Sequence, residues 1–406
     1  MLIVLGVAMQ YIVSAVFHVE ISEKDILPSL KLLGTVGLIM IVLEAALELE
    51  LKREKYVPIA KAMLIALIGL VASAWVAALI LNYFIDGMTM DKAWLYAIPL
   101  SILSSAIIIP SVSGLTPAKK EFHIYESTFS DILGIMMFIY MTGQLTTTDG
   151  HGHDHGGGGG GFAAFCGTVL LTIVVSFIAS YLIILIFQNI RSHAKLFLLI
   201  AVLLFLYAVG NIVHLSALIV ILVFGLIIAN MKLFFKGPLG RWLNLEKANH
   251  IYEGLHVITM ETAFVIRTFF FVAFGLSITV ASIFDLNVAM VSVLIIASIY
   301  LIRFVILRLF IGEDIIPQLY IAPRGLITIL LFYKLPEAAE VADFNPGILL
   351  FIIIGTSLIM TVAMVRDKQR TGAAIRKAGD NPIGYEKWKA PTVTEVADDS
   401  GHGHGH

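Results

Sequence analysis

The chain has a single cysteine, Cys166, in 406 residues, and charged side chains make up only 14% of it. One cysteine excludes a disulfide framework or a cysteine-built metal centre within the chain. Charge this sparse is well below the ~25% of a soluble domain, and 59% hydrophobic residues are more than one water-soluble core can hide. A net charge of −2 excludes a strongly basic nucleic-acid surface. There is no H-E-x-x-H helix and no G-x-S-x-G segment, which argues against a membrane-embedded hydrolase. The N-terminus carries no cationic leader, so the first apolar run does not read as a cleaved signal peptide.

What the chain has instead is twelve apolar runs, at about 2–17, 29–49, 57–84, 92–114, 122–145, 162–188, 194–213, 216–231, 258–283, 288–311, 315–335 and 346–365. Most reach the ~20 residues a helix needs to cross ~30 Å of hydrocarbon, and none shows the ~10-residue alternation of barrel strands. Lipid offers backbone amides no partner, so helices follow. The expected fold is an all-α polytopic membrane protein with about twelve transmembrane helices. Basic residues gather after spans two, four, six and eight, as in Lys52, Arg53 and Lys55 or Lys119 and Lys120, and again in the tail from Arg366. The alternate loops hold little beyond Lys24, Lys92 and Lys334. Both ends are therefore expected in the cytoplasm, with a membrane domain over 1–365 and a polar tail over 366–406. The Gly-His tract at 150–161, with His151, His153 and His155, reads as an outside linker, a weak metal-collecting tract being the alternative.

A charge at a helix centre costs about 2.5–3.5 kcal/mol on insertion scales, so each one asks for a partner or a function. Asp131 lies nine residues into span five, ~13 Å deep at 1.5 Å per residue. Ser127 and Gly134 share its helix face, which suggests a small oxygen-lined site for a hard cation. Glu126 is about 140° around the helix from Asp131 and is expected to pair with a cation elsewhere. Span ten offers Arg303 and Arg308, with depth slightly favouring Arg308. Glu44, deep in span two, is a candidate to face the ion route, whereas Glu48 and Glu50 read as solvated at the membrane edge. Arg267 in span nine has no evident partner, Glu261 being six residues away, and His214 reads as an ordinary hydrogen-bonded histidine.

Spans four and eleven contain backbone breakers: Ser104-Ser105-Ala106-Ile107-Ile108-Ile109-Pro110 and Ala322-Pro323-Arg324-Gly325. Proline removes a donor and frees a carbonyl, which is tolerated in a membrane where it lines a polar cavity. The two interruptions occupy matched positions if 1–145 and 194–365 are repeats of opposite orientation joined by a linker helix at 162–188. That symmetry asks for one more helix before Met1, making a thirteen-helix fold whose first member is missing.

With these residues in view, the chain resembles the monovalent cation:proton antiporter superfamily in its sodium/proton exchanger branch. Glu126-Ser127-Thr128-Phe129-Ser130-Asp131 looks like the family's E-S-x-x-N-D signature, and Arg303 lies where the family pairs an arginine with that glutamate. Glu44 in Leu43-Glu44-Ala45-Ala46-Leu47 resembles F-E-A-G-L, and Phe269 to Leu276 and Pro323 to Leu326 also resemble family segments. The resemblance implies antiport of Na+ (or Li+, K+) for H+ without a cofactor, by alternating access, in a homodimer within a prokaryotic inner membrane. Asp131 would be the carrier, with Ser127, Ser130 and Glu44 completing the cation site. Glu126 and Arg303 would form a structural pair, and Pro110, Pro323, Arg324 and Gly325 would mark the discontinuous helices. One binding carboxylate implies electroneutral exchange. The alternatives are K+/H+ exchange, divalent-metal transport, or a non-transporting sensor of the same fold. Two departures bear on activity: Ser130 stands where the family has Asn or Asp, and the family's Thr-Asp-Pro is expected at Ile108-Ile109-Pro110.

Overall fold

A computed structural model describes residues 5, 6, 8–10, 12, 23–49, 51, 55–148, 161–188, 195–212, 217–234, 245–277, 285–312 and 315–380. The described residues are helical, with turns and extended links and no strand. Six helices among them are long and apolar enough to cross a membrane. The chain divides into two compact units, residues 1–363 and 364–406. The candidate functional site lies in the first.

The helices are α1 (Glu23–Glu48), α2 (Tyr56–Phe84), α3 (Met90–Ser101), α4 (Ser105–Ser111), α5 (Pro117–Thr148), α6 (Gly161–Phe187), α7 (Lys195–Ile212), α8 (Ala217–Ala229), α9 (Met231–Phe234), α10 (Leu245–Ser277), α11 (Leu286–Phe310), α12 (Leu326–Phe332) and α13 (Gly347–Asp380). Local chemistry sets several ends. Asp285 caps α11 by accepting from the Asn287 amide at 2.9 Å, and Gly312, at φ +103°, lets the chain turn away after that helix. Gly87, at φ +71°, does the same between α2 and α3.

Composition explains the packing of α2. Ala62, Ala66, Ala74, Ala77 and Ala78 form a small-residue face that is buried against its neighbours, which lets helix backbones approach closely where no hydrophobic force drives association. Its opposite face exposes Val57, Leu64, Leu67, Val71 and Trp75, a surface suited to lipid. Two packed groups result. One joins α2 with α3, α5 and α11, with α4 against α5 and α12 against α3; the other joins α1 with α10 and α8, with α6 and α7 against α8. Contact between the groups runs chiefly from α1 to α4, α5 and α12.

Three expectations shift. Span nine begins earlier, since α10 starts at Leu245. Span eleven is mostly not helical: α12 holds only Leu326–Phe332 and follows an extended approach. Span twelve runs past its apolar stretch, and α13 continues to Asp380 through a segment rich in the helix formers Ala, Lys and Arg. Most of span one, Glu50, the 150–160 tract and His214 lie outside the described residues.

Candidate functional site

Both interrupted spans come together at their breaks. The helical run of α3 ends at Ser101, and Ile102 and Ser104 take extended conformations before α4 begins. The Ser104 amide donates to the Pro323 carbonyl at 3.0 Å, so the two extended links touch backbone to backbone. Gly325 permits this: a Cβ there would lie 2.3 Å from Ser104 Oγ. Several other groups released by the break are also taken up. Leu103 N–H donates to Ser130 Oγ at 3.0 Å. Arg324 Nε donates to the Leu100 carbonyl and Thr328 Oγ1 to the Pro99 carbonyl, each at 2.8 Å, and a cation at the carbonyl end of α3 also suits its dipole. The Arg324 amide donates to Thr356 Oγ1 at 3.0 Å. A buried link of this kind is stable only when its polar groups are paired, and side chains of α5, α12 and α13 supply much of that pairing.

Pro110 is not at the break. It sits within α4, six residues after Ser104, so its expected place corrects to Ile102–Ser104. The reason is tertiary: the break lies where outside donors and acceptors replace the helical ladder, and Pro110 releases only the Ala106 carbonyl one turn back. It follows that the residues at the crossing are Ser104 and Ser105, not Ile108 and Ile109.

Helix α5 carries a run of buried polar groups, a little over two turns long, against this crossing. His123, Glu126, Ser127, Thr128, Ser130 and Asp131 are all buried. Gly134 lets the helix reach the break, since a Cβ there would lie 2.4 Å from Ile102 Cγ1. The 3.6-residue turn then sorts the polar groups onto two faces. Glu126 and Ser130, four apart, share one. Glu126 accepts two hydrogen bonds from Arg303, Nη1 to Oε1 at 2.7 Å and Nη2 to Oε2 at 2.9 Å, and Arg303 also donates to the Gln318 carbonyl at 3.1 Å. Arg303 is therefore the partner, while Arg308 is exposed and donates to the Gly312 carbonyl on its own side. This face lines a cavity of about 390 Å³, counted with its mouth, together with Ser73, Ser101 and Arg324.

Asp131 and Ser127 share the other face. The Asp131 carboxylate is 2% exposed, and neither of its oxygens has a hydrogen-bond partner of ordinary geometry. Ser105 faces it with its hydroxyl and its backbone N–H as donors, and Glu44 and Arg267 are charges close enough to act on it. Ser127 gives its hydroxyl proton to the His123 carbonyl at 2.7 Å, leaving oxygen lone pairs. Ser130 is thus separated from Asp131: it holds the Leu103 amide and sits with the Glu126 pair, about 100° around the helix.

Glu44 is also engaged. Arg267 Nη2 donates to Glu44 Oε2 at 2.7 Å, and both side chains keep 15% exposure. Glu48, expected to be solvated, is half-buried and has a carboxylate oxygen with no partner. The Arg267 partner, and the roles of Ser105, Thr328 and Thr356, were not anticipated; isolated polar residues in apolar runs were the available signal for the last three. No cluster of three or more metal-ligating side chains occurs among the described residues.

Comparison with known proteins bears on the family and the fold. The sequence model of the family described as "Sodium/hydrogen exchanger, transmembrane" matches residues 1–367. No curated protein matches the chain. Among solved structures, the fold is similar to that of the sodium proton antiporter MjNhaP1 from Methanocaldococcus jannaschii at pH 8, with a TM-score of 0.64 at 20% identity, covering 92% of this chain and 90% of that one. A second structure of the same antiporter, from an electron-microscopy map, gives a TM-score of 0.60 at 17% identity, covering 96% and 92%. The chain, an all-α polytopic integral membrane protein, belongs to the transmembrane sodium/hydrogen exchanger family of cation/proton antiporters.

Proposed function

We propose that this antiporter exchanges Na+ for H+ one for one, with Asp131 as the group that carries each in turn. The observation that carries the reading is the Asp131 carboxylate itself, buried beside the crossing of two broken helices, with Ser105 as its donor neighbour and neither oxygen in a hydrogen bond of ordinary geometry. A buried carboxylate short of donors is costly unless a proton or a cation satisfies it. Oxygen ligands suit a hard cation, and Ser127, Ser105 and Glu44 are the oxygen-bearing side chains grouped with it. A single carboxylate that is neutralised by either H+ or Na+ carries the same net charge in both directions, hence electroneutral exchange.

Alternating access would come from movement of the α2, α3, α5 and α11 group against the α1, α8 and α10 group, whose mutual contact runs chiefly through α1. A bistable contact of this kind is what a transporter needs. We place the protein in a prokaryotic inner membrane as a homodimer, with its C-terminal tail in the cytoplasm. The membrane domain is assigned to 1–365 as two inverted repeats. The direct test is exchange in everted vesicles: Asp131→Asn should abolish the dequenching of a pH dye on adding Na+, and normal dequenching would sink the assignment. Proteoliposomes given Na+, Li+ and K+ separately then settle the ion.

A further inference from the structure

Arg267 projects from α10 into a junction of three elements. Its Nη2 holds Glu44 on α1, and its Nη1 donates to the Ala106 carbonyl in α4 at 3.3 Å. The second acceptor exists because of a proline. An ordinary residue at 110 would return its N–H to the carbonyl of residue 106, and Pro110 has none to return. Arg267 therefore ties α1 and α10 to α4, across the boundary between the two packed groups. The hold is incomplete: Arg267 Nε has no partner, the bond to Ala106 is long, and the pair keeps some exposure. The Glu126–Arg303 pair, by contrast, is closed on both sides.

The charged groups gathered here are Glu44 and Glu48 on α1, Arg267 on α10 and Asp131 on α5. We propose that Arg267 is a resident counter-cation for Glu44, a positioning residue that the transported cation displaces before Glu44 and Asp131 share that cation. The carbonyl released by Pro110 sets how hard the displacement is. The proposal rests on the reading of Asp131 as the carrier. While Arg267 is seated, Glu44 is neutralised and an arriving cation meets a second positive charge. Once Arg267 lets go, a carboxylate becomes available on the far side of the cation from α5. Part of the binding free energy is then spent on breaking the Arg267 contacts, which raises KM and eases release.

Na+-driven exchange by the chain in proteoliposomes, measured across Na+ concentrations at alkaline pH where protons compete least, separates the outcomes. Arg267→Gln should lower KM for Na+ at least threefold, and Glu44→Gln should raise it. Pro110→Ala keeps every charge but gives Ala106 back a helical N–H, so it should lower KM by less than Arg267→Gln does. A merely structural pair would respond with the same sign to Arg267→Gln and Glu44→Gln and would ignore Pro110→Ala. That pattern, or a folded but inactive Arg267→Gln, overturns the proposal. If Arg267→Gln does not fold, Pro110→Ala decides: a lowered KM supports the displacement and an unmoved KM overturns it. Exchange surviving in Asp131→Asn would remove the carrier reading and this proposal together, whereas its loss, with KM unmoved in the other variants, removes the proposal alone.

Discussion

Glu126 and Asp131 sit five residues apart on one helix, and each is almost completely buried, at 1% and 2% exposure. Their surroundings differ in kind. Glu126 has both oxygens held by the Arg303 guanidinium, whereas Asp131 has no charged partner on either oxygen and only Ser105 facing it, short of a hydrogen bond of ordinary geometry. Burial alone does not separate a structural acid from a functional one; satisfaction does. A charge with its full set of donors has no free valence for a cargo, and a charge without them is tolerated only because something else is to bind there. The five-residue spacing that turns the two side chains onto different faces is what lets one short segment serve both purposes.

The strongest way to break that contrast is to exchange the expected consequences. Asp131→Asn is expected to remove Na+-dependent exchange entirely while leaving the thermal midpoint in detergent unchanged or higher, since an unsatisfied acid is lost. Glu126→Ala is expected to cost about 3–5 kcal/mol, because it strands the Arg303 charge in the interior. Adding Arg303→Ala to that variant should recover much of the loss. Equal damage to folding from Asp131→Asn and Glu126→Ala would mean that the two acids are not different in kind.

Next in size is the crossing that separates the two faces. Gly325→Ala would set a methyl 2.3 Å from Ser104 Oγ, and Gly134→Ala one 2.4 Å from Ile102 Cγ1. Overpacking of this sort costs about 1–3 kcal/mol, and both variants should lower exchange more than they lower the amount of folded protein in the membrane. Parallel measurement of transport and of monodisperse protein after extraction checks this. A smaller effect is expected of Ser130→Ala. It leaves the Leu103 amide without its acceptor, at about 1–3 kcal/mol, and should weaken stability without changing which cation is carried, because Ser130 faces the Glu126 side.

Much of this was legible in the sequence and some could not be. Hydropathy marked the six described helices that are long and apolar enough to cross a membrane, because lipid imposes length and composition directly. The helix-face argument placed Ser127 and Gly134 with Asp131, since periodicity is local. Arg267 and Glu44 lie 223 residues apart, and no local pattern joins them. The position of the first break was also hidden. Proline marked residue 110, yet the chain leaves the helix at Ile102 because Ser130, Pro323, Arg324 and Thr328 take over its hydrogen bonds, and those partners are assembled only by the fold. The tolerance of Pro110 inside α4 is part of the same lesson: a proline ends a helix only where nothing else compensates the carbonyl it frees.

The smallest expected effect tests the contrast from the cation side. Arg303 and Arg308 repeat on α11 the spacing of Glu126 and Asp131 on α5, five residues and about 140° apart. Depth along the helix slightly favoured Arg308, but direction selects the other: Arg303 is 8% exposed and reaches both Glu126 oxygens and the Gln318 carbonyl, whereas Arg308 is exposed and donates to the Gly312 carbonyl at 3.3 Å. Exposed interactions of that kind contribute little, so Arg308→Ala should change stability by no more than about 0.5 kcal/mol and leave exchange intact, in contrast with the severe loss expected of Arg303→Ala. A midpoint in detergent that falls as far for Arg308→Ala as for Arg303→Ala would show that position along α11, not the direction of the side chain, selects the partner of Glu126.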